Sequence, residues 1–394
     1  MSIVTGARQV GKTTMLRHLA KSQNRTYVTL DNLMARNLAK SDPVLFFQTY
    51  KPPIIIDEVQ YASELFSQIK ILCDEREVPG QFWLIGSQQF ALMKNVRETL
   101  AGRISILELH SFSMNEKAGV SFDEETDSRL RLDFSLQCLQ ARQAKVPRND
   151  IIRVFEHIWR GGMPQALGAD AEQLWEYYDA YVSTYLMRDA AELGGVTDTL
   201  RFARFLTACA ALIAEQVNYK TLADTAEVSQ PTVKEWLRLL TGLGIVYLLR
   251  PYANNTPKRL AKAPKLYFYD TGLAARLAMW LTPETLMNGA ASGHFFENFI
   301  VSALVKNYAY SQTKADLSYY RDSNAKEIDI FVEENNLVHP LEIKKSASPD
   351  SREVKKFAVL DKAAITRGSG GVICMCEEPL PIDSKNCFIP CNLI

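Results

Sequence analysis

The sequence predicts an α/β protein: a parallel-sheet core near the N-terminus, a helical middle, and a second, smaller α/β unit at the C-terminal end. Three observations carry that expectation. The stretch Gly6-Ala7-Arg8-Gln9-Val10-Gly11-Lys12-Thr13-Thr14 follows an apolar run, Ser2–Thr5, and leads into a helical pattern. A wholly apolar run, Ile54-Ile55-Ile56, ends in Asp57-Glu58. Two strand-like runs, Glu327–Val332 and Pro340–Lys344, place Asp329, Glu342 and Lys344 among alternating apolar residues.

Composition narrows the class. At roughly 100–200 residues per domain, 394 residues suggest two or three domains. Hydrophobic residues at 47% and charged ones at 23% exclude a mainly disordered or disulfide-stapled chain. Lys+Arg and Asp+Glu are both 45, so any contact with nucleic acid must come from a local basic patch. Five histidines leave little material for a His-rich metal site. The seven cysteines are odd in number and scattered, and no signal peptide precedes them; reduced thiols in a cytoplasmic protein are expected. Cys374 and Cys376 fall in an apolar run and read as core. No stretch approaches the roughly 18 apolar residues of a membrane span, so no membrane partner is expected.

Each N-terminal element has a chemical reading. The first stretch is a complete G-x-x-x-x-G-K-[ST] between strand and helix. Its glycines let the backbone N–H groups of Gly6 to Thr14 and the helix N-terminus face a phosphate. Lys12 would reach the β- and γ-phosphates of ATP, and the Thr13 hydroxyl would hold Mg²⁺. Strand ends at the carboxyl edge of a parallel sheet carry ligands, so Asp57 fits a Mg²⁺-organising carboxylate and Glu58 the base that activates water. A third strand, Phe82–Gly86, leads to Ser87-Gln88-Gln89, which either sense the γ-phosphate and position water, Gln88 foremost, or simply cap a helix. After a helical stretch, Phe90–Leu100, comes Arg103 and an apolar strand, Ile104–Leu109. Arg103 is placed where a ring-forming ATPase offers an arginine finger to a neighbouring copy; an ordinary surface arginine is the alternative.

TGARQVGKTT, IIIDEVQ, LIGSQQF and LAGR, in this order and spacing, resemble the AAA+-superfamily ATPases of bacteria and archaea that carry a characteristic C-terminal domain of unassigned function. Arg160-Gly-Gly-Met-Pro164, Tyr185-Leu-Met-Arg-Asp189 and Phe268-Tyr-Asp-Thr-Gly272 extend the resemblance over nearly the whole chain. It implies a segment ahead of the first strand that helps cover the nucleotide base. With the P-loop beginning at Gly6, that segment is expected to be absent or to lie upstream of the start.

The middle reads as a lid and a DNA reader. Glu116–Asp133 is polar and acidic, a solvated excursion. Helical patterns run from Ile151 to Glu215, and the stripe Trp175, Tyr178, Tyr181, Tyr185 reads as core. Arg188-Asp189 reads as a helix-surface ion pair, although the resemblance implies a place near the nucleotide or a subunit contact. Tyr219–Ala226 and Gln230–Leu240 form a helix-turn-helix with Ser229 as cap and Pro231 in the first turn. The strands Gly244–Arg250 and Lys265–Tyr269 complete a winged helix. From Lys220 to Lys265 there are eight Lys/Arg against three Asp/Glu. Lys234 on the second helix and Lys258, Arg259 and Lys262 on the wing would contact DNA phosphates. Packing against the ATPase or a protein is the other use of such a module.

At the C-terminal end, alternation puts Ile328, Ile330 and Val332 on one face and Asp329 on the other, and sets Glu342 and Lys344 on a shared face. An Asp followed by Glu-x-Lys on the next strand is the arrangement of the PD-(D/E)XK, or restriction-endonuclease-like, fold, in which two carboxylates bind Mg²⁺ and the Lys stabilises charge. The resemblance adds Glu297, on the helical stretch Gly293–Asn307, as a further acid. Cleavage of DNA and a retained fold without chemistry both stay open. The expected boundaries are 1–112 for the ATPase core, 113–200 for a helical linker, 201–275 for the winged helix and 285–394 for the nuclease-like domain. The expected function is an ATP-driven conformational switch associated with DNA, with an ATP-gated nuclease and a nucleotide-regulated scaffold as alternatives.

Overall fold

The computed structural model describes residues 1–394 apart from 76–77, 87–99, 101, 121–131, 195, 253–262, 312–313, 323–325 and 363–364. Strands β1 (Ser2–Thr5), β2 (Thr26–Thr29), β3 (Ile54–Asp57), β4 (Phe82–Ile85) and β5 (Ser105–Glu108) form one sheet, ordered β2-β3-β4-β1-β5. Every pairing in it is parallel. Such a sheet must be covered on both faces, which is why β3 is apolar without alternation. Ile54 and Ile56 pack beneath the helices Leu33–Ser41, Pro43–Thr49 and Leu65–Glu75, while Ile55 faces Val4, Leu16 and Ile85 on the other side. β4 separates the strand that precedes the glycine-rich loop from the strand that ends in Asp57. Both strands therefore deliver their C-terminal ends to one edge.

The helical middle begins at Ile151–Arg160 and continues through Ala171–Ala180, a π-helical turn at Tyr181–Leu186, and Met187–Gly194. Tyr178 and Tyr181 are buried in it, as the aromatic spacing predicts. The helices Tyr219–Ala226 and Gln230–Gly242 follow, with the Ser229 hydroxyl accepting from Thr232 N. β6 (Val246–Pro251) and β7 (Lys265–Phe268) then pair antiparallel.

These two strands do not stand alone. β6 also pairs in parallel with β8 (Asp316–Arg321). Together with β9 (Glu327–Glu334), β10 (Leu337–Ile343), β11 (Gly370–Cys374), β12 (Leu380–Pro381) and β13 (Asn386–Pro390), they make one eight-stranded sheet ordered β12-β13-β11-β10-β9-β8-β6-β7. The sheet packs on the long helix Ser292–Tyr310.

Alternation along β9 is not regular. Ser318 pairs with Phe331 but Tyr320 with Ile328, so β9 carries one extra residue between them, a β-bulge. Ile328 and Phe331 consequently pack in one cluster and Ile330 and Val332 in another. The expected single face of Ile328, Ile330 and Val332 is thus broken, and Asp329 sits at the break.

A glycine-lined joint ties the parts together. Asp270, buried, accepts from the Tyr178 hydroxyl at 2.8 Å, from Gly162 N at 2.8 Å and from Leu273 N at 3.0 Å. A Cβ at Gly162 would overlap Phe112 O, and one at Gly161 would overlap the Asp270 carboxylate. The two motifs around Gly161 and Asp270 are therefore one structural contact that also reaches the segment after β5.

Candidate functional site: a phosphate loop with two strand-end acids

The loop after β1 has the backbone its glycines permit. Gly6 and Gly11 have φ of 134° and 95°, and a Cβ at Gly6 would overlap Leu109 O. Gly11 caps the helix Lys12–Leu19 without a side-chain bond, so no cap side chain competes with an anion for the first-turn N–H groups. Lys12 lies folded over the loop, its Nζ donating to Gly6 O at 3.0 Å and Ala7 O at 2.6 Å. Burial, helped by the charge of Arg8, pushes its ammonium down to about 8 against the opposing pull of Glu58 and Asp57. A phosphate arriving there would restore a firmly charged lysine.

Asp57 ends β3 with its carboxylate fully used. Thr13 Oγ1 donates to Asp57 Oδ2 at 2.8 Å, Tyr27 Oη to the same oxygen at 2.9 Å, and Glu58 N to Oδ1 at 3.0 Å. The hydroxyl and carboxylate expected at Mg²⁺ thus already touch, and one hard oxygen donor from each fits an ion that keeps most of its waters. Glu58 takes a left-handed backbone, φ 55°, which turns its side chain out of the strand. Burial raises its carboxyl above the usual range, and the Gln60 amide and the Arg8 charge only partly offset this. A raised carboxyl beside a phosphate loop suits a general base.

The loop arginine has a partner that the sequence reading placed elsewhere. Arg8 grips Asp189 side-on, Nε to Oδ2 at 2.7 Å and Nη2 to Oδ1 at 2.9 Å, with side chains 12% and 4% exposed. Asp189 is therefore no helix-surface acid; Arg188 instead meets Glu192 on the surface at 3.7 Å. The signal was present, since Asp189 continues the stripe Tyr181, Tyr185 at the next fourth position, and an acid on a buried stripe needs a cation. Tyr27, which spacing could not single out, joins the site through the pairing of β2 with β3.

The other expected residues fall differently. Arg103 is bonded within its own chain to Asp74, Nε to Oδ1 at 2.6 Å, both about half exposed. Gln88, Lys258, Arg259 and Lys262 lie outside the described residues. Lys234 is exposed, with its ammonium over the Tyr219 ring. Lys265, counted among the wing's bases, is buried and paired with Glu297 at 3.0 Å and Glu327 at 2.6 Å.

The C-terminal acids approach one another but are held by protein donors. Asp329 Oδ2 accepts from Ile343 N at 2.8 Å. Glu342 Oε1 accepts from Lys344 at 2.7 Å and Lys356 at 2.6 Å, while its Oε2 is buried without a hydrogen-bond partner among the described residues. Glu297 accepts from Lys265 and, at 2.6 Å, from Tyr267 Oη. Burial and the nearby Asp329 raise both glutamates above the usual carboxyl range. Among the described residues, no three His, Cys, Asp or Glu side chains are grouped as metal ligands. As placed, Glu297 and Glu342 are each bonded to lysines and Asp329 to a backbone N–H.

Comparison with known proteins agrees with the N-terminal geometry. Residues 1–118 match a family model described as an AAA domain. Residues 152–284 match a domain of unknown function (DUF8612), and residues 292–394 another (DUF4143). An uncharacterized protein of Mycobacterium tuberculosis is 28% identical over 362 residues, covering 91% of this chain and 73% of that one. One from Methanocaldococcus jannaschii is 22% identical over 339 residues, covering 80% and 70%. Among solved structures, a Walker-type ATPase of Pyrococcus abyssi shares 14% identity at a TM-score of 0.42, covering 70% of this chain and 90% of that one. The Holliday junction branch migration motor of Thermotoga maritima shares 16% at 0.26, covering 63% and 81%. The AAA-domain match and the Lys12, Thr13, Asp57, Glu58 geometry together support a P-loop, AAA-like nucleotide-binding ATPase. Among the described residues, no helix is long and apolar enough to cross a membrane.

Proposed function

We propose that the chain hydrolyses ATP in the presence of Mg²⁺ and uses the cycle as a conformational switch in association with DNA. The observation that carries the ATPase reading is the meeting of Thr13 and Asp57, 2.8 Å apart, beside Lys12 and Glu58. When bound, Mg²⁺ would be held by Thr13 and Asp57 and would offset phosphate charge. Glu58 takes a proton from the water that attacks the γ-phosphorus, the bond to the β-phosphate oxygen breaks, and ADP and phosphate leave.

Close packing supports the switch. Ala7 N lies 3.2 Å from where a Gly244 Cβ would stand, Pro164 Cγ lies 3.8 Å from where a Gly11 Cβ would stand, and Ala7 and Val10 belong to the core of the middle segment. Packed contacts of this kind pass on small loop movements rather than absorbing them. Self-association through Arg103 would require breaking an exposed pair with Asp74, which costs only about 0–1 kcal/mol.

DNA association rests on Arg250, which is exposed, and on Lys258, Arg259 and Lys262. The second helix of the helix-turn-helix offers little help. The groove at its start, about 740 Å³, is lined by Asp198, Asp224, Glu227 and Glu235 against Arg201 alone. Binding to duplex DNA should therefore be salt-sensitive, and each lost wing charge should lower the log–log salt slope by about 0.9. A gel-shift series on wild type and on the triple variant Lys258→Ala/Arg259→Ala/Lys262→Ala measures this. No retardation at low salt would favour a protein-binding scaffold. In the same samples, cutting that needs Mn²⁺ and vanishes in Asp329→Ala would revive the nuclease reading, for which Glu342 Oε2, partnerless among the described residues, is the supporting observation.

A further inference from the structure

The glycine-rich loop supplies a second cation besides Lys12. Arg8 stands at the third position of the loop, and its guanidinium is held side-on through Nε and Nη2 by Asp189 of the middle segment. That grip takes two of the five N–H donors and the Tyr61 side chain takes another by hydrogen bond, which leaves two for a further acceptor. Glu58 and Tyr61 are the other groups that act on the guanidinium, and the same charges, Arg8 and Asp189 among them, act on Lys12. Arg8, Lys12, Asp57, Glu58 and Asp189 thus share one electrostatic neighbourhood, although Asp189 comes from a part of the chain 181 residues beyond Arg8. Burial works against the arginine's charge, but the hydrogen bonds and charge of Asp189 more than offset it.

The geometry points to Arg8 as the charge-stabilising arginine of ATP hydrolysis, acting within its own chain, with Asp189 as its positioning residue. This inference rests on the ATPase reading above. As water oxygen bonds to the γ-phosphorus and the bond to the β-phosphate oxygen breaks, negative charge spreads over the γ-phosphoryl and the departing ADP oxygens. A guanidinium whose side edge is anchored needs no reorganisation to meet that charge with its remaining donors. A lysine could not hold the carboxylate and a phosphate oxygen by two separate edges. The assignment also explains why a buried ion pair spans the loop and the middle segment. By contrast, Arg103 is paired with Asp74 within its own chain, on the surface.

The test uses the full chain and four proteins: wild type, Arg8→Gln, Asp189→Asn and the double variant. ATP affinity is read by calorimetry, turnover by phosphate release, and folding by a thermal melt. The double variant replaces the ion pair with two neutral amides of similar size, so it keeps the fold without leaving a buried charge. Affinity should stay within about threefold in all four. Turnover should fall by about 10³-fold in Arg8→Gln, the low end for a lost arginine of this kind. Asp189→Asn should lose about 10- to 100-fold, and Asp189→Glu should recover part of it. The double variant should be no slower than Arg8→Gln alone, because Asp189 acts only through Arg8. Turnover within threefold of wild type in Arg8→Gln, or losses that multiply in the double variant, would overturn the assignment. A wild type that releases no phosphate would sink the ATPase reading itself, a result distinct from either.

Discussion

Glu58→Gln should bind ATP with nearly wild-type affinity and hydrolyse it about 10²–10⁴-fold more slowly, the usual cost of losing a general base. The substitution keeps side-chain volume and the neighbouring Gln60 but removes the carboxylate proposed to take the proton, while Asp57 is engaged by Thr13, Tyr27 and its own neighbour's N–H. The raised carboxyl of Glu58 adds a sign to the prediction. A base must be ionised, so wild-type turnover should rise with pH through a value above that of an ordinary glutamate and then level off. Single-turnover phosphate release across pH checks both points. Equal rates in wild type and variant would move the base to another residue.

Asp270→Ala should destabilise the fold strongly although it lies outside the phosphate loop. It strips the acceptor from Gly162 N and Leu273 N inside the core, leaving the Tyr178 hydroxyl only Arg160 O, and each orphaned buried donor costs about 1–3 kcal/mol. A loss of about 3 kcal/mol or more is a large share of the roughly 5–15 kcal/mol that holds a folded domain. Gly162→Ala should be worse, because its Cβ would have to displace the backbone at Phe112. Urea midpoints followed by tryptophan fluorescence measure the loss. An unchanged midpoint in Asp270→Ala would show that the joint is not a structural contact.

The phosphate loop and Asp57-Glu58 were legible because their spacing is local: each motif lies within one strand end and one turn, where backbone geometry follows from a few residues. The helix-turn-helix was legible for the same reason, and its helices begin at Tyr219 and Gln230, where its cap and proline place them. What could not be read depends on partners far along the chain. Asp189 becomes a site residue only once Arg8 reaches it, and Lys265 leaves the basic wing only because β7 lies beside Glu297 and Glu327. The sequence also hides the bulge at Asp329, since an extra residue in one strand shows only against its partner. Likewise, nothing in the composition of β6 says that it pairs with β8 as well as β7 and so joins the two halves of the chain.

The measurement that tests the central claim most directly is a calorimetric titration of ATP with Mg²⁺ into wild type and Lys12→Ala. Lys12 is buried against the loop carbonyls of Gly6 and Ala7, where a phosphate would meet it. Saturable binding by wild type, lost or weakened at least 100-fold in Lys12→Ala while the variant melts as wild type does, is the predicted result. Equal affinity in the two proteins, or no binding by either, would contradict it.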